Sequence, residues 1–283
     1  MSAERLTVGE ILRRSAEDLA EAGSERPRLD AERLVGHAVG LDRVGLYMQL
    51  DRPLSPSELE RAQGLVARRG TREPLQYVLG EWGFRRLTLL VDARALIPRP
   101  ETEVVVERCL AAIAGLDAPR VLDVGTGTGA IALAIADEHA GARVTGIDVS
   151  EEALALAGEN AARTGNEVEL VRHDLFAGLP GADWDLVVSN PPYVLADELE
   201  GLAPEVVDWE PEVALVARGQ TEALVRAAAA ALRPGGTLVL ETHGDGAAAA
   251  AGLLAEHGYR DIVVTEDLAG RERVVEGRVE NGP

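Results

Sequence analysis

Lysine is absent from this chain of 283 residues, so all 28 basic side chains are arginine, set against 48 acidic ones for a formal charge of −20. A surface this acidic repels free nucleic acid and leaves only a local basic patch as a route to such a partner. The arginine-only, alanine-rich and glycine-rich usage matches a GC-rich genome and carries no functional reading of its own. Cysteine occurs once, as Cys109, which excludes an internal disulfide framework. It lies in the apolar stretch Val104 to Ile113, so a buried structural thiol is expected. No uninterrupted apolar run reaches the roughly 18 residues of a membrane span, and Met1-Ser2-Ala3-Glu4-Arg5 lacks a hydrophobic signal core. A soluble cytoplasmic chain is expected, and nothing calls for an obligate interface, so a monomer is expected too. The five histidines (His37, His139, His173, His243 and His257) show no ligand spacing, and no metal is expected.

What is present divides into three regions. Residues 1–72 read as a small helical domain of about four helices. Thr7 followed by Glu10 fits a capping box, opening a helix with Ile11, Leu12, Leu19 and Ala20 on one side. A second helix is expected over Arg28 to Val39. Ser55-Pro56-Ser57-Glu58 supplies an N-cap, a proline at the first helical position and an acid at the third, with Gly70 as a stop. Residues 73–98 read as a connector in which Trp82-Gly83-Phe84 pairs with Arg86 to Val91 as a hairpin. Residues 99–283 enter a helix after Pro100 and then alternate strand and helix. The strands are expected at Arg120–Val124, Arg143–Asp148, Glu167–Val171, Trp184–Ser189 and Gly236–Thr242, with a helix over Thr221 to Leu232. Such alternation implies an α/β fold with a parallel sheet covered on both faces. At the end, Asp261–Glu266 and Arg271–Arg278 are joined only by Asp267-Leu268-Ala269-Gly270, which permits nothing but an antiparallel pair.

Asp123-Val124-Gly125-Thr126-Gly127-Thr128-Gly129 follows a strand and opens a helix. Its glycines allow a tight turn and close approach of a ligand, and a helix N-terminus offers free N–H groups. Asp148 ends the next strand, 19 residues after Gly129, where an acid can take both ribose hydroxyls. A dinucleotide site would space its third glycine one residue further on. Gly125-x-Gly127-x-Gly129 instead resembles the S-adenosylmethionine loop of class I methyltransferases, and the terminal hairpin resembles the sixth and seventh strands of that fold. In that fold the acid after the third strand, here Asp174, lies near the adenine amino group and the next residue, Leu175, packs on the ring. A turn-capping aspartate is the alternative for Asp174.

Asn190-Pro191-Pro192-Tyr193 directly follows the run Trp184 to Ser189, at the end of a buried strand. Two prolines hold φ near −65° and fix the direction of the local carbonyls. The Asn190 carboxamide oxygen and the Pro191 carbonyl form two acceptors suited to one planar NH2 group, with Tyr193 as a flat wall. The tetrapeptide resembles the signature of methyltransferases that modify adenine N6 or the glutamine side-chain amide. An amide nitrogen is a poor nucleophile, so orienting both of its N–H groups and favouring charge on nitrogen is the chemistry required.

Other segments bear on the substrate. Pro74-Leu75-Gln76-Tyr77-Val78-Leu79-Gly80, Leu96-Ile97-Pro98-Arg99-Pro100-Glu101-Thr102-Glu103, Glu210-Pro211 with Ala214-Leu215, and Asp267 through Val275 stand in order along the chain. Together with the tetrapeptide they resemble the release-factor glutamine methyltransferase (PrmC/HemK) family over most of the chain. The resemblance implies a Rossmann-like seven-stranded sheet behind a small helical domain, and methylation of the glutamine in the Gly-Gly-Gln motif of class 1 peptide-chain release factors. It implies cofactor contacts from Gly125, Thr126, Gly127, Thr128, Gly129, Asp148, Asp174, Leu175 and Asn190. Asn190, Pro191, Pro192 and Tyr193 would hold the glutamine, with Asn190, Pro191 and Tyr193 acting in catalysis. Pro98 to Glu103 would enclose the methionine end, and residues 1–72 would grip the release factor. Three segments depart from the family pattern: Arg86 where glycine is common, Arg218-Gly219-Gln220-Thr221 without the usual Gly-Leu pair, and Glu241-Thr242-His243-Gly244 in place of a Glu-Ile-Gly stretch.

Alternatives remain open at this level. A sister enzyme acting on a ribosomal-protein glutamine uses the same chemistry with different docking. A DNA adenine N6-methyltransferase fits the tetrapeptide but not the charge of −20 or the absence of a basic target-recognition region. A binding module that has lost activity would keep the cofactor site alone.

Overall fold

The computed structural model describes residues 6–244 and 246–280, so the stretch from Met1 to Arg5 searched above for a signal core lies outside the described residues. The chain forms two compact units, the first running to Gly80 and taking in Ala203–Trp209, the second holding the remainder. The first unit contains α1 (Val8–Glu21), α2 (Pro27–Val39), α3 (Arg43–Met48), α4 (Pro56–Gly70) and α5 (Leu75–Leu79). Four of these lie within residues 1–72, as expected, and the fifth is a short helix within the Pro74–Gly80 segment.

Both N-terminal signals do what their chemistry requires. At α1 the Glu10 N–H donates to Thr7 Oγ1 while the Thr7 N–H donates to the Glu10 carboxylate at 2.8 Å. At α4 Ser55 and Glu58 repeat the exchange with Pro56 at the first position. The buried stripe of α1 is Val8, Ile11, Ser15 and Leu19, and Ala20 is exposed. At 3.6 residues per turn Ala20 lies half a turn round from Ile11, so it cannot share that stripe.

In the first unit the helical turn Pro204–Val207 is bound by charge. Arg69 Nη2 donates to Glu205 Oε1 at 2.9 Å, and Arg72 donates to both Glu205 oxygens at 2.8 and 2.6 Å. Arg69 Nε also donates to Asp30 at 2.8 Å. Burial alone would raise the Glu205 carboxyl, but the bonds from Arg72 and Arg69 hold it down at about 2. A depressed acid contributes stability that is complete above its ordinary value of 4.5 and is lost as pH falls towards 2. Glu205→Ala is expected to destabilise the first unit by about 2–4 kcal/mol at pH 7, since it leaves two arginines without their shared acceptor. Urea unfolding at pH 7 and pH 3 checks this: the deficit should shrink at pH 3, and a deficit independent of pH would contradict the assignment.

The second unit opens with a hairpin of β1 (Glu81–Phe84) and β2 (Leu87–Leu90), turned by Arg85 at φ 50°. The units part at Gly80 and Glu81 rather than at residues 72 and 98, because hairpin residues Phe84 and Leu89 are buried in one core with Val105, Cys109 and Ile131. The remaining strands are β3 (Arg120–Val124), β4 (Arg143–Asp148), β5 (Glu169–Arg172), β6 (Trp184–Ser189), β7 (Leu232–Glu241), β8 (Arg260–Glu266) and β9 (Glu272–Arg278). Between and beside them lie α6 (Thr102–Ile113), α7 (Ala130–Glu138), α8 (Glu151–Thr164), α9 (Gln220–Ala231) and α10 (Gly246–Glu256). The strands form one seven-stranded sheet in the order β5-β4-β3-β6-β7-β9-β8, with β9 antiparallel to both β7 and β8. β7 starts earlier than the expected Gly236: Leu232 pairs with Trp184, and pairing resumes only at Thr237 opposite Leu186. Pro234 lies in the irregular stretch, where a residue without an N–H can be accommodated.

Consecutive strand residues pack on opposite faces, which is why these strands read as unbroken apolar runs. Val121, Leu186, Val188 and Val239 join α6 and α7 on one side, and Leu122, Val187, Leu238 and Leu240 join α9 and α10 on the other. Cys109 is fully buried in the first of these cores, and burial pushes its thiol pKa up, so it is a packing group. Among the described residues no helix is long and apolar enough to cross a membrane.

Candidate active site

The sheet order reverses between β3 and β6. From β3 the chain moves outward through β4 and β5, then returns to the other side of β3 as β6. Ligand crevices of parallel sheets form at such a reversal, beyond the carboxyl ends of the strands. Val124 is in register with Ser189, and Ser189 Oγ donates to the Val124 carbonyl at 2.6 Å. The residues that follow these two are Gly125 and Asn190, so the glycine loop and the tetrapeptide start side by side.

The loop uses glycine for conformation more than for free amides. Gly125, Gly127 and Gly129 have φ of 73°, 55° and 81°, and a Cβ at Gly129 would stand 3.1 Å from Leu133 and 3.2 Å from Ala157. The N–H groups of Gly125 and Thr126 both donate to the Ile147 carbonyl, at 2.8 and 2.9 Å. Gly129 N–H donates to the Thr126 carbonyl, and Gly127 N–H to Asp148 Oδ2 at 3.0 Å. Four loop amides are therefore already engaged, while among the described residues those of Thr128 and of Ala130 and Ile131 at the start of α7 make no hydrogen bond. Asp148 accepts one backbone N–H on each oxygen, from Gly127 and from Ser150 at 3.0 Å, which fixes its plane and leaves acceptor capacity for a pair of hydroxyls.

Beneath the loop Asp123 is 1% exposed. Burial pushes its carboxyl up to about 7, against the opposing pull of a hydrogen bond from Thr126 Oγ1 at 2.7 Å and another from the Ala132 amide. An acid raised in the folded state gives stability that is complete below its ordinary value of 3.8 and is lost as pH climbs through 7. Asp123→Asn is therefore expected to gain about 2–4 kcal/mol relative to wild type between pH 4 and pH 8. Urea midpoints of the two proteins across that range check the difference; parallel curves would contradict it.

A cavity of about 340 Å³ opens over the ends of β3, β4 and β6, within the range of small-molecule sites. Gly125, Thr126, Gly127, Thr128, Asp148, Asp174, Leu175, Asn190, Pro191 and Pro192 line it, so the structure brings together most of the residues singled out in the sequence. Gly129 is not in the lining: it caps α7 from behind. Asp174 does both things considered for it, facing the cavity while accepting the Phe176 N–H at 2.9 Å. Leu175 packs partly into the core with Tyr259 and Leu224, and its neighbour Phe176, 58% exposed, presents an aromatic face to the same cavity.

Of the segment from Pro98 to Glu103, only Pro98, Arg99 and Thr102 reach the lining. Arg99 Nη2 donates to buried Glu210 at 2.5 Å, which ties this segment to the Glu210-Pro211 motif and neutralises a cation at the cavity rim. Tyr193 stands apart from the lining. It stacks on His243, with ring centroids 5.1 Å apart and planes 6° from parallel, and burial raises its phenol. Among the described residues the Asn190 carboxamide makes no hydrogen bond, so its oxygen is open to the cavity.

Sequence reasoning missed Val149, Phe176, Ala214 and Gln220, all of which line the cavity. Val149 had a usable signal, being an exposed apolar residue directly after the acid that ends β4, and Phe176 stands two residues after Asp174, exposed and aromatic. Ala214 and Gln220 stand in segments set against the family, Ala214 in a matching one and Gln220 in a departing one, but neither was assigned to the cavity.

Two family models match this chain: the PrmC N-terminal domain over residues 10–80 and the methyltransferase small domain over residues 102–207. Among solved structures, a T. thermophilus 16S rRNA N2 G1207 methyltransferase determined with AdoMet and guanosine superposes with a TM-score of 0.52. It is 19% identical, covers 71% of this chain and 50% of its own, and thereby supports the methyltransferase fold alone. A release factor glutamine methyltransferase of Geobacter sulfurreducens is 43% identical over 96% of this chain and 97% of its own length. The protein of that name from Deinococcus radiodurans is 42% identical over 98% and 100%. Agreement at this level across both units, with the glycine loop and Asn190 meeting at one cavity, means that the chain belongs to the release factor glutamine methyltransferase family.

Proposed function

We propose that this protein binds S-adenosylmethionine in the cavity over β3, β4 and β6. It would methylate the side-chain amide nitrogen, N5, of the glutamine in the Gly-Gly-Gln motif of class 1 release factors, a modification in translation termination. The observation that carries this reading is the placement of Asn190, with an unengaged carboxamide, on one cavity with the glycine loop and Asp148.

Bound S-adenosylmethionine supplies an electrophilic methyl group on a sulfonium. The chain's own residues place it and the acceptor. Asp148 takes the ribose hydroxyls, while Val149, Leu175 and Phe176 offer apolar surface to the adenine and Asp174 an acceptor to its amino group. Gly125 to Gly129 let the ligand approach the backbone. Pro98, Arg99 and Thr102 bound the methionine end.

Asn190 Oδ1 and the Pro191 carbonyl each accept one N–H of the glutamine amide. Pro192 keeps that carbonyl's direction fixed, and Tyr193, although outside the cavity lining, is read as a wall of the glutamine subsite next to it. Holding both N–H groups aims the nitrogen at the methyl carbon and stabilises the positive charge that grows on nitrogen as the new bond forms. The new bond would form as the methyl–sulfur bond breaks, its electron pair staying on sulfur as a neutral thioether, and one N–H proton would pass to water to leave the neutral N-methyl amide.

The helices of residues 1–72 are read as the surface that grips the release factor. The enzyme is read as a cytoplasmic monomer that meets neither nucleic acid nor membrane directly; the charge of −20 supports the reading against nucleic acid. The test is mass spectrometry of a class 1 release factor incubated with enzyme and S-adenosylmethionine. A gain of one methyl group on the Gly-Gly-Gln glutamine is expected. Transfer only to a ribosomal protein or to duplex DNA would overturn the substrate assignment.

A further inference from the structure

The closing motif Asp267 to Val275 has no role in the reading above, yet its side chains reach the tetrapeptide. Asp267 starts the turn between β8 and β9, where its Oδ1 accepts the N–H groups of Ala269 at 2.9 Å and Arg271 at 3.1 Å. Its Oδ2 accepts Arg273 Nε and Nη2 at 3.4 and 3.3 Å. Both side chains are buried, at 8% and 5% exposure. Arg273 Nη1 donates in turn to the Thr242 carbonyl at 3.2 Å and lies 3.5 Å from His243 Nδ1. His243 is the residue stacked on Tyr193. An unbroken series of contacts thus runs from a turn amide through Asp267, Arg273 and His243 to Tyr193.

We propose that His243 is a positioning residue for the methyl-accepting site. Backed by Arg273 and Asp267, it covers one face of Tyr193, fixes the ring plane, and leaves only the opposite face for the glutamine side chain. Arginine cannot lose its proton, so Arg273 presents a donor to Nδ1 and the buried Asp267 fixes the guanidinium in place. A nearly parallel ring pair supplies the last contact.

This inference rests on the reading of Tyr193 as a wall of the amide site, and the experiment separates the two. Turnover and KM for a release factor, cofactor Kd and thermal midpoint are measured for wild type, His243→Ala, His243→Phe and Tyr193→Ala. His243 is exposed, so its variants should fold with midpoints close to wild type. His243→Ala is expected to lower kcat about three- to tenfold, the range over which an aromatic pair contributes, with cofactor Kd within about twofold. His243→Phe, which keeps a ring to stack, should restore kcat to within about twofold of wild type. An impaired Tyr193→Ala beside an unaffected His243→Ala would overturn the inference alone, as would a His243→Ala defect that phenylalanine leaves unrepaired. A fully active Tyr193→Ala would overturn the reading of the site and this inference with it.

Discussion

Replacing Asn190 with alanine is expected to lower turnover by about a hundredfold or more while cofactor Kd stays within about threefold. The size follows from what the side chain is asked to do. Its carboxamide oxygen is one of only two acceptors for the glutamine N–H pair, and Ser189 and the two prolines hold it ready before substrate arrives. Ser189 is tied to β3 through its hydroxyl and paired with β7 through its backbone, which anchors the main chain just before Asn190. Removing a preorganised polar group of this kind raises the barrier rather than weakening ground-state binding. Cofactor affinity is spared because the ribose contacts come from a different strand end. Single-turnover rates at saturating cofactor, with Kd by calorimetry, separate the two quantities. A variant that loses cofactor binding instead would show that Asn190 belongs mainly to the cofactor site.

Asp148→Ala should give the opposite pattern, raising cofactor Kd by about 30-fold or more while turnover at saturating cofactor changes by only a few-fold. Hydrogen bonds to a charged acceptor contribute about 1.5–3 kcal/mol each, and two hydroxyls would share this carboxylate. The same substitution frees the N–H groups of Gly127 and Ser150, which loosens the loop and the entry to α8. Glu151 and Glu152 follow in the first turn of α8, where the helix dipole favours acids, so the helix itself should survive. Calorimetric titration of the variant decides the matter: a Kd within about threefold of wild type would remove Asp148 from the ribose site. Crossing the two variants adds a control. Because Asn190 and Asp148 act on different ligands, their effects on kcat/KM should be nearly additive.

How much of this was legible in the sequence differs by residue. The limits of β3, β4 and β6 could be read to the residue because strands buried on both faces leave continuous apolar runs with sharp polar ends. The start of β7 could not, because the pairing of Leu232 with Trp184 depends on a partner strand that local pattern does not encode. The capping boxes at Thr7 and Ser55 were legible, since each is a contact over three residues. Ala20 was misplaced by a pattern that treated neighbours as sharing a face. Glu205 was invisible: its partners Arg69 and Arg72 lie 136 and 133 residues away.

The glycine loop shows the boundary most clearly. Residue type and spacing established by themselves that the backbone turns tightly after β3 and that an acid closes β4. Only the folded chain showed that the amides of Gly125, Thr126 and Gly127 are bonded to Ile147 and Asp148. Likewise Asn-Pro-Pro-Tyr named an acceptor pair for a planar nitrogen from its own covalent geometry, because proline fixes φ wherever it stands. That this pair faces the same cavity as the loop depends on β3 and β6 pairing in register across 65 residues, and that Tyr193 turns to His243 depends on a contact brought by β7 and β9. Sequence alone thus determined the local chemistry, caps and strand character of this protein, because those rest on neighbours within a turn or two. Strand order, register and side-chain partners were decided by the tertiary structure, because they rest on contacts whose separation along the chain carries no periodic signal.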